Sequence, residues 1–499
     1  MADPLAALSV GAVPTPEKWA RFAVETHGLL DEWLAGKTVL DPTMGEGSLL
    51  SALADLALER GKRVSELPFA SLHGVELNSA LYEKALARFQ QKYGVDMSAA
   101  FVNTDILTWN EQRCDLLFGN PPWSNFVDLP SEYQLRVKPF FAYYDLIPGR
   151  RQTLLGASRV DIAALVIQKT MIENLSPGGR AVFFVPLSLF LNDGAHDCFR
   201  RFAARGTRYF LTALHDFRGI SVFPHIAARC GLAAFSRKAP PAARVPCFCF
   251  EGGAWQRYTA LRPKGGGAFR VVSPEKEPLS PPRIAVPEGT RPRQGVNPCG
   301  AAAVFIFKEY EEIDEQTCKV GGAFLLPRAY VYPLICGQNF CGGEKRPVKW
   351  VLLPYNRRTG KPLPPAEMEA EPLLRAYLAP HRERLSARKG AFLQAYIKRG
   401  LWWALFGVGA YNFAPYKVVW EAYGRRNFRP RIFTGDWQAN QSLQAFIPCA
   451  DEGAALRLTA ALSDPRVEAY LHSSRMEGTM NWAQPGKIAP LLCPEAHGF

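Results

Sequence analysis

The stretch of this chain with the most specific chemistry is Asn120-Pro121-Pro122-Trp123. Consecutive prolines fix the backbone and keep it out of a helix, so the side-chain oxygen of Asn120 and the carbonyl oxygen of Pro121 can both face one amino group. Two such acceptors stabilise the positive charge that develops on a nitrogen as it attacks a methyl sulfonium. Trp123 offers a flat surface on which a base carrying that amine can stack. A rigid turn with a partly buried tryptophan would use the same residue types for packing alone. However, an Asn-Pro-Pro-aromatic string arises by chance in 499 residues only on the order of once in a hundred.

Three acids fall at the carboxyl ends of successive predicted strands, the edge where open sheets of this kind bind ligands. Asp41-Pro42-Thr43-Met44-Gly45-Glu46-Gly47 joins a strand to a helix, and its glycines let the backbone turn tightly and pass close to a ligand. Gly74-Val75-Glu76 ends the next strand with a carboxylate that can accept from both ribose hydroxyls of a nucleoside. Glu76 follows Asp41 by 35 residues, too far for a nicotinamide-enzyme fingerprint, where about 20 residues are usual. Asn103-Thr104-Asp105 ends the third strand with an acid suited to an exocyclic amino group. Any one of these acids alone would read as a solvated loop charge.

To place these groups together the first half must alternate strand and helix. Thr15-Pro16-Glu17 reads as an N-cap with proline at the first helical position, followed by the apolar residues Trp19, Phe22, Ala23, Leu29, Leu30 and Trp33. Strands are predicted over 37–40, 71–77, 101–103, 115–118, 180–185, 209–217 and 226–235, with helices over 48–60, 79–91 and 161–175. This pattern predicts an α/β fold, a doubly wound, mostly parallel sheet with helices on both faces, over residues 1–240. Composition then changes. Residues 241–300 are rich in Pro and Gly and read as a connection into a second, mixed α+β domain over 301–499, which includes a predicted helix over 371–389.

Charge follows the same division. Lys and Arg exceed Asp and Glu by one up to residue 240 and by twelve beyond it, within a total of +13. A basic excess confined to one region matches a partner with a regular array of negative charge, most often nucleic acid. No amphipathic basic helix supports a membrane surface, and no apolar run is long enough for a span or a signal peptide. Eleven scattered cysteines suit free thiols in a cytoplasmic protein. Cys247-Phe248-Cys249 and the Cys336, Cys341 pair lack a second CxxC or a His pair, so no metal site is expected.

The run DPTMGEG, GVEL, NTD, NPPW resembles the S-adenosylmethionine-dependent amino-methyltransferases, especially the N6-adenine DNA methyltransferases of the gamma order. The resemblance covers residues 13 to 238 motif by motif and implies a Rossmann-like class I methyltransferase domain with S-adenosyl-L-methionine as cofactor. It implies that Thr15 and Pro16 lie over the methionine part of the cofactor. Asp41, Pro42, Thr43, Gly45, Glu46 and Gly47 would line its methionine and ribose, Glu76 would bind the ribose hydroxyls, and Asp105 the adenine amino group. Asn120, which also borders the cofactor, would act with Pro121, Pro122 and Trp123 to hold the target adenine. In Ile220-Ser221-Val222-Phe223-Pro224, Phe223 would pack on the opposite face of the flipped base, although a core phenylalanine is an equally good reading. Met44-Gly45-Glu46 departs from the family, which often has a small residue followed by Asp or Ser.

Beyond residue 238 the likeness is looser. Residues 293–297 and 303–305, 375–399 and 416–420 resemble segments of target-recognition domains from restriction-modification enzymes. Extruding a base from a duplex costs a few kcal/mol and needs a grip on the backbone. Arg382, Arg384, Arg388, Lys389, Lys398 and Arg399 around Tyr396, and Arg425, Arg426, Arg429 and Arg431 around Phe428, are the candidates for double-stranded DNA. Each arginine alone reads equally as a solvated charge, and Trp402-Trp403 reads as core. The expected activity is sequence-specific methylation of adenine N6 in duplex DNA, as part of a restriction-modification or phage-defence system with a cognate restriction or defence protein as partner. The alternatives are methylation of RNA or of a protein glutamine, and a catalytically silent DNA-binding specificity protein. A fused nuclease is not expected, because no Glu is followed two positions later by Lys.

Overall fold

The computed structural model describes residues 13–147, 160–192, 194–223, 226, 228–238, 240, 242–262, 266–273, 282–340, 346–423, 428–441, 444–473 and 482–494. The chain divides into two compact units, Met1–Glu277 and Pro278–Phe499.

In the first unit, helices α1 (Glu17–Thr26) and α2 (Leu29–Leu34) precede strand β1 (Val39–Asp41). Helix α3 (Ser48–Glu59), β2 (Leu72–Glu76), α4 (Ser79–Tyr93), β3 (Phe101–Asn103) and β4 (Cys114–Gly119) follow. After α5 (Ser131–Tyr143) and α6 (Ile162–Glu173) come β5 (Leu175–Pro186), β6 (Phe210–Asp216) and β7 (Cys230–Ser236). The unit closes with β8 (Arg244–Glu251), β9 (Ala254–Leu261) and β10 (Arg270–Val272). All ten strands form one sheet in the order β10-β9-β8-β6-β7-β5-β4-β1-β2-β3.

Strands β1 to β5 pair in parallel. Beyond β5 the sheet becomes mixed, since β7 runs antiparallel to both its neighbours and β8 to β10 form antiparallel pairs. Successive side chains of a strand face opposite sides, and in β5 the consecutive residues Ala181, Val182, Phe183, Phe184 and Val185 are all buried, so both faces are covered. The chain proceeds from β1 outward to β3 and then returns to β4 on the other side of β1, which makes the carboxyl ends of β1 and β4 the switch point of the sheet.

Several sequence expectations need correction. The connection predicted over 241–300 is, from 244 to 272, three further strands of the large sheet; β8 and β9 pair along their full length around a turn at Gly252 and Gly253, both at positive φ. Gly252 and Gly253 make the hairpin turn, and Pro246 lies within β8 opposite Thr259. The strand predicted from 226 begins at Cys230. Thr15 does not cap α1, whose first helical residue is Glu17 after Pro16. In the second unit the helix predicted over 371–389 is broken into Pro372–Leu378 and Arg382–Ser386, with a single 3-10 turn, Ala379–His381, between them. Pro380 lacks the N–H that would continue the ladder.

The second unit is of mixed type, with small sheets and short helices. A four-stranded sheet combines Arg293–Gln294, Gln444–Cys449, Tyr416–Glu421 and Arg431–Thr434. Lys417 in this sheet is buried and donates to the carbonyls of Ala414 (2.8 Å) and Gly435 (2.9 Å), while the buried Trp420 indole donates to Ala483 O (2.6 Å). Among the described residues no helix is long and apolar enough to cross a membrane.

Candidate active site

The three strand-end acids line one cavity. It encloses about 1130 Å³, part of it open to solvent, and includes Asp41, Glu76 and Asp105 together with Thr15, Pro42, Thr43, Gly45, Glu46, Asn120 and Pro122. The β1 and β4 ends meet closely there: a Cβ on Gly119 would lie 3.0 Å from Pro42 Cδ and 3.2 Å from Asp41 Oδ1. A side chain at 119 would therefore crowd Pro42 and Asp41, and Phe183 at 3.2 Å as well. Gly47 ends the loop at φ 76° with Phe89 against it, a left-handed conformation that favours glycine.

Each acid is held in place by backbone N–H groups. Asp41 Oδ1 accepts from Thr43 N (3.1 Å), and burial pushes its carboxyl up to about 8, helped by the nearby Glu76 charge and opposed by the Thr43 N–H. Glu76 accepts from Gly45 N through Oε2 (2.8 Å) and from Asn78 N through Oε1 (2.7 Å), so it ties the glycine loop to the start of α4. Burial raises its pKa against these donors. Asp105 Oδ1 accepts from Leu107 N (2.9 Å); its Oδ2 lies 3.2 Å from the Arg136 guanidinium yet accepts no hydrogen bond among the described residues. Burial raises Asp105 as well, opposed by the Leu107 N–H and by the charges of Arg136 and Lys169. The Thr43 hydroxyl is buried and likewise without a partner among the described residues.

The decisive local feature is the orientation of Asn120. Its Nδ2 donates to Val13 O (3.2 Å) and to Thr15 Oγ1 (3.2 Å), more than a hundred residues earlier in the chain. With the donor end of the carboxamide engaged, Oδ1 is the end left to accept from a substrate. Thr15 thus belongs to the site through its hydroxyl.

Not every expected residue meets the cavity. Pro16, Gly47, Pro121 and Trp123 lie outside its lining. Glu46 borders it, and its carboxylate pairs with Lys84 (2.8 Å) and Arg88 (3.4 Å) of α4, which hold it below the usual carboxylate range and fasten the loop to that helix. Phe223 is buried and packs edge-to-face on Trp123, with ring centroids 5.1 Å apart and planes at 86°. Two rings that sandwich a flat base must be parallel with a gap between them, so this arrangement does not provide the second wall expected of Phe223. Pro224 lies outside the described residues. The loop that carries Phe223 is anchored at both ends by the buried Asp216, which accepts from Arg218 Nε (2.9 Å) and Arg229 Nε (2.8 Å).

The chain was compared with known proteins. No protein-family model matches it. It is 25% identical over 154 residues to the modification methylase CviBIII of Paramecium bursaria Chlorella virus NC1A, a match that spans 31% of this chain and 32% of that protein. Among solved structures it superposes on the Type IIL restriction-modification enzyme MmeI in complex with DNA with a TM-score of 0.56 at 14% identity, covering 95% of this chain and 66% of MmeI. The DrdV–DNA complex matches with a TM-score of 0.47 at 12% identity over 89% of this chain and 50% of that one. The fold is therefore shared with MmeI across nearly the whole chain. The chain spans about a third of the length of the curated relative and 66% of MmeI.

Apolar residues of the cavity escaped the sequence reading. Leu77 and Ile106 each directly follow a strand-end acid and could have been found from that adjacency. Tyr133, Ile162 and Val166 reach the cavity from α5 and α6; α6 buries apolar residues all along, and Tyr133 belongs to the buried stripe of α5 with Val137 and Phe141, so neither pattern sets the cavity residues apart.

The basic candidates of the second unit separate sharply. Arg382, Arg384, Lys389, Lys398, Arg399 and Arg429 are exposed. Arg388 is buried, and it donates to Leu385 O (3.0 Å), Pro298 O (3.2 Å), Trp402 O (2.6 Å) and Ala404 O (2.9 Å). It is a structural anchor unavailable to DNA. Arg431 stands over the Phe340 ring at 5.5 Å, and Phe428 is buried between Trp420 and Trp482. Arg425 and Arg426, like Cys341, lie outside the described residues. Cys247 and Cys249 are buried thiols whose sulfurs are 3.9 Å apart.

Proposed function

We propose that the chain transfers a methyl group from S-adenosyl-L-methionine to N6 of an adenine extruded from duplex DNA, as the modification activity of a restriction-modification or defence system. The observation that carries this reading is the fixed Asn120 carboxamide, its oxygen left as an acceptor at a cavity whose other walls carry Asp41, Glu76 and Asp105. The likeness to a modification methylase and to a DNA-bound restriction-modification enzyme supports it.

The residues present suit the cofactor. Asp105 Oδ2, which has an ion pair with Arg136 but no hydrogen bond among the described residues, and the unbonded Thr43 Oγ1 are buried atoms of cavity-lining side chains, suited to a nucleoside with an amino group and an amino-acid tail. Glu76 keeps unused acceptor capacity on both oxygens for ribose hydroxyls. Asp105, Ile106 and Leu77 would hold the purine, Glu76 the ribose, and Asp41 and Thr43 the methionine portion. When bound, the cofactor supplies an electrophilic methyl on a positively charged sulfur.

On the substrate side, Asn120 Oδ1 accepts an N–H of the target amine. That hydrogen bond orients the nitrogen and strengthens as positive charge grows on it, which is preorganised electrostatic stabilisation. Thr15 and Val13 keep the carboxamide from rotating its N–H₂ toward the amine, where it would repel it. Pro121 and Pro122 hold the corner rigid. The exposed cations of the second unit supply attraction to phosphates. Incubation with methyl-labelled S-adenosylmethionine and duplex DNA, RNA or protein, followed by digestion, tests the reading. Label in N6-methyladenine from DNA is expected; label on cytosine, on RNA alone or on protein alone rejects it.

A further inference from the structure

From Arg384 to Trp420 the sequence contains no Asp or Glu, yet it carries Arg384, Arg388, Lys389, Lys398, Arg399 and Lys417. Burial removes Arg388 and Lys417 from the surface and leaves Arg384, Lys389, Lys398 and Arg399 exposed. Close to these cations in sequence are three aromatic rings, of which Phe392 and Phe406 are exposed and Tyr396 packs with part of its surface against the core of the second unit. Phe392 is 44% and Phe406 37% exposed, and Tyr396 is half-buried. Phe392 is edge-to-face with Phe406 (centroids 5.2 Å, planes at 88°) and 5.1 Å from Tyr396. The short helix Ala391–Ile397 thus carries Phe392 and Tyr396 one turn apart, with Lys389 before it and Lys398 and Arg399 after it in sequence.

We propose that Phe392, Tyr396 and Phe406 form a stacking anchor for the bases of duplex DNA, with Phe392 inserting at a base step while Lys389, Lys398 and Arg399 hold the flanking phosphates. Exposed flat apolar surface within a stretch of chain that carries cations and no acids complements a polymer of flat bases bordered by anions. A protein partner would need no such absence of acids. An anionic membrane fits less well, because a seven-residue helix offers too little apolar area to lie in an interface. This inference deepens the proposed reading and rests on it.

The test measures binding of the full chain to labelled duplex DNA by fluorescence anisotropy over a salt series. Phe392→Ala should weaken binding roughly tenfold at fixed salt, with the slope of log affinity against log salt unchanged and the melting temperature preserved. Phe406→Ala should act in the same direction, and Phe392→Trp should retain binding. Combined Lys389→Gln, Lys398→Gln and Arg399→Gln should instead flatten the slope by about 0.9 for each phosphate no longer neutralised. Parental affinity in Phe392→Ala and Phe406→Ala, or capture by phosphatidylserine vesicles without any DNA effect, overturns the anchor and leaves the methyltransferase reading standing. Failure of the unaltered chain to bind DNA overturns both.

Discussion

The two units put similar side chains to different uses. In the first, the groups that matter are held by backbone at strand ends: Asp41, Glu76 and Asp105 each accept from an N–H two residues along, Glu76 also from Gly45 of the glycine loop, and Asn120 is pinned by Val13 and Thr15. In the second, two arginines four residues apart have opposite fates. Arg384 is exposed, whereas Arg388 is buried on four carbonyls. Chemistry fixed by strand-end backbone leaves a local signature, and chemistry spread over a surface depends on which side chains the fold leaves outside.

That contrast can be broken most severely at Asn120. Asn120→Ala should lower methyl transfer by about 10²–10³-fold, with cofactor affinity within a few-fold, as measured by single-turnover transfer and by calorimetry; equal losses in both would place Asn120 in cofactor binding alone. Next, Arg388→Ala should cost about 3 kcal/mol of stability in denaturant unfolding, since it strands four buried carbonyls. Arg384→Ala should change stability by no more than about 0.5 kcal/mol and reduce only the salt dependence of DNA binding. Reversal of these two results would dissolve the distinction between anchor and contact.

Thr15→Val sharpens the comparison further. It removes one acceptor from Asn120 Nδ2 and should reduce transfer roughly tenfold, about 1.4 kcal/mol, while Thr15→Ser restores it. A last effect concerns pH. The Asp41 carboxyl is raised in the fold to about 8, so the folded chain binds that proton more tightly than the unfolded one. Its contribution to stability is present at acid pH and is lost as pH rises from the ordinary carboxylate range through about 8. Asp41→Asn should flatten the melting temperature across that window; an unchanged slope would show that another group sets it.

Much of the first unit was legible because its signals are local. Strand-loop-helix punctuation located the Asp41 to Gly47 loop, and the diproline fixed the turn after β4. What was not legible depended on distance. The stretch from 241 to 300 as a whole is rich in Pro and Gly, which mimics a linker and hides the hairpin of β8 and β9 within it. Phe223 and Trp123 each fit the role of a stacking surface by residue type, but they pack edge-to-face on one another. Arg388 could not be told from Arg384, because only the tertiary position of Pro298, Trp402 and Ala404 distinguishes them.

The most direct measurement is a crystal structure of the chain soaked with S-adenosylhomocysteine. Its purine amino group is expected at Asp105, its ribose hydroxyls at Glu76 and its sulfur facing the side of the cavity bordered by Asn120. Density elsewhere on the molecule, or a thioether turned away from Asn120, would contradict the proposed chemistry.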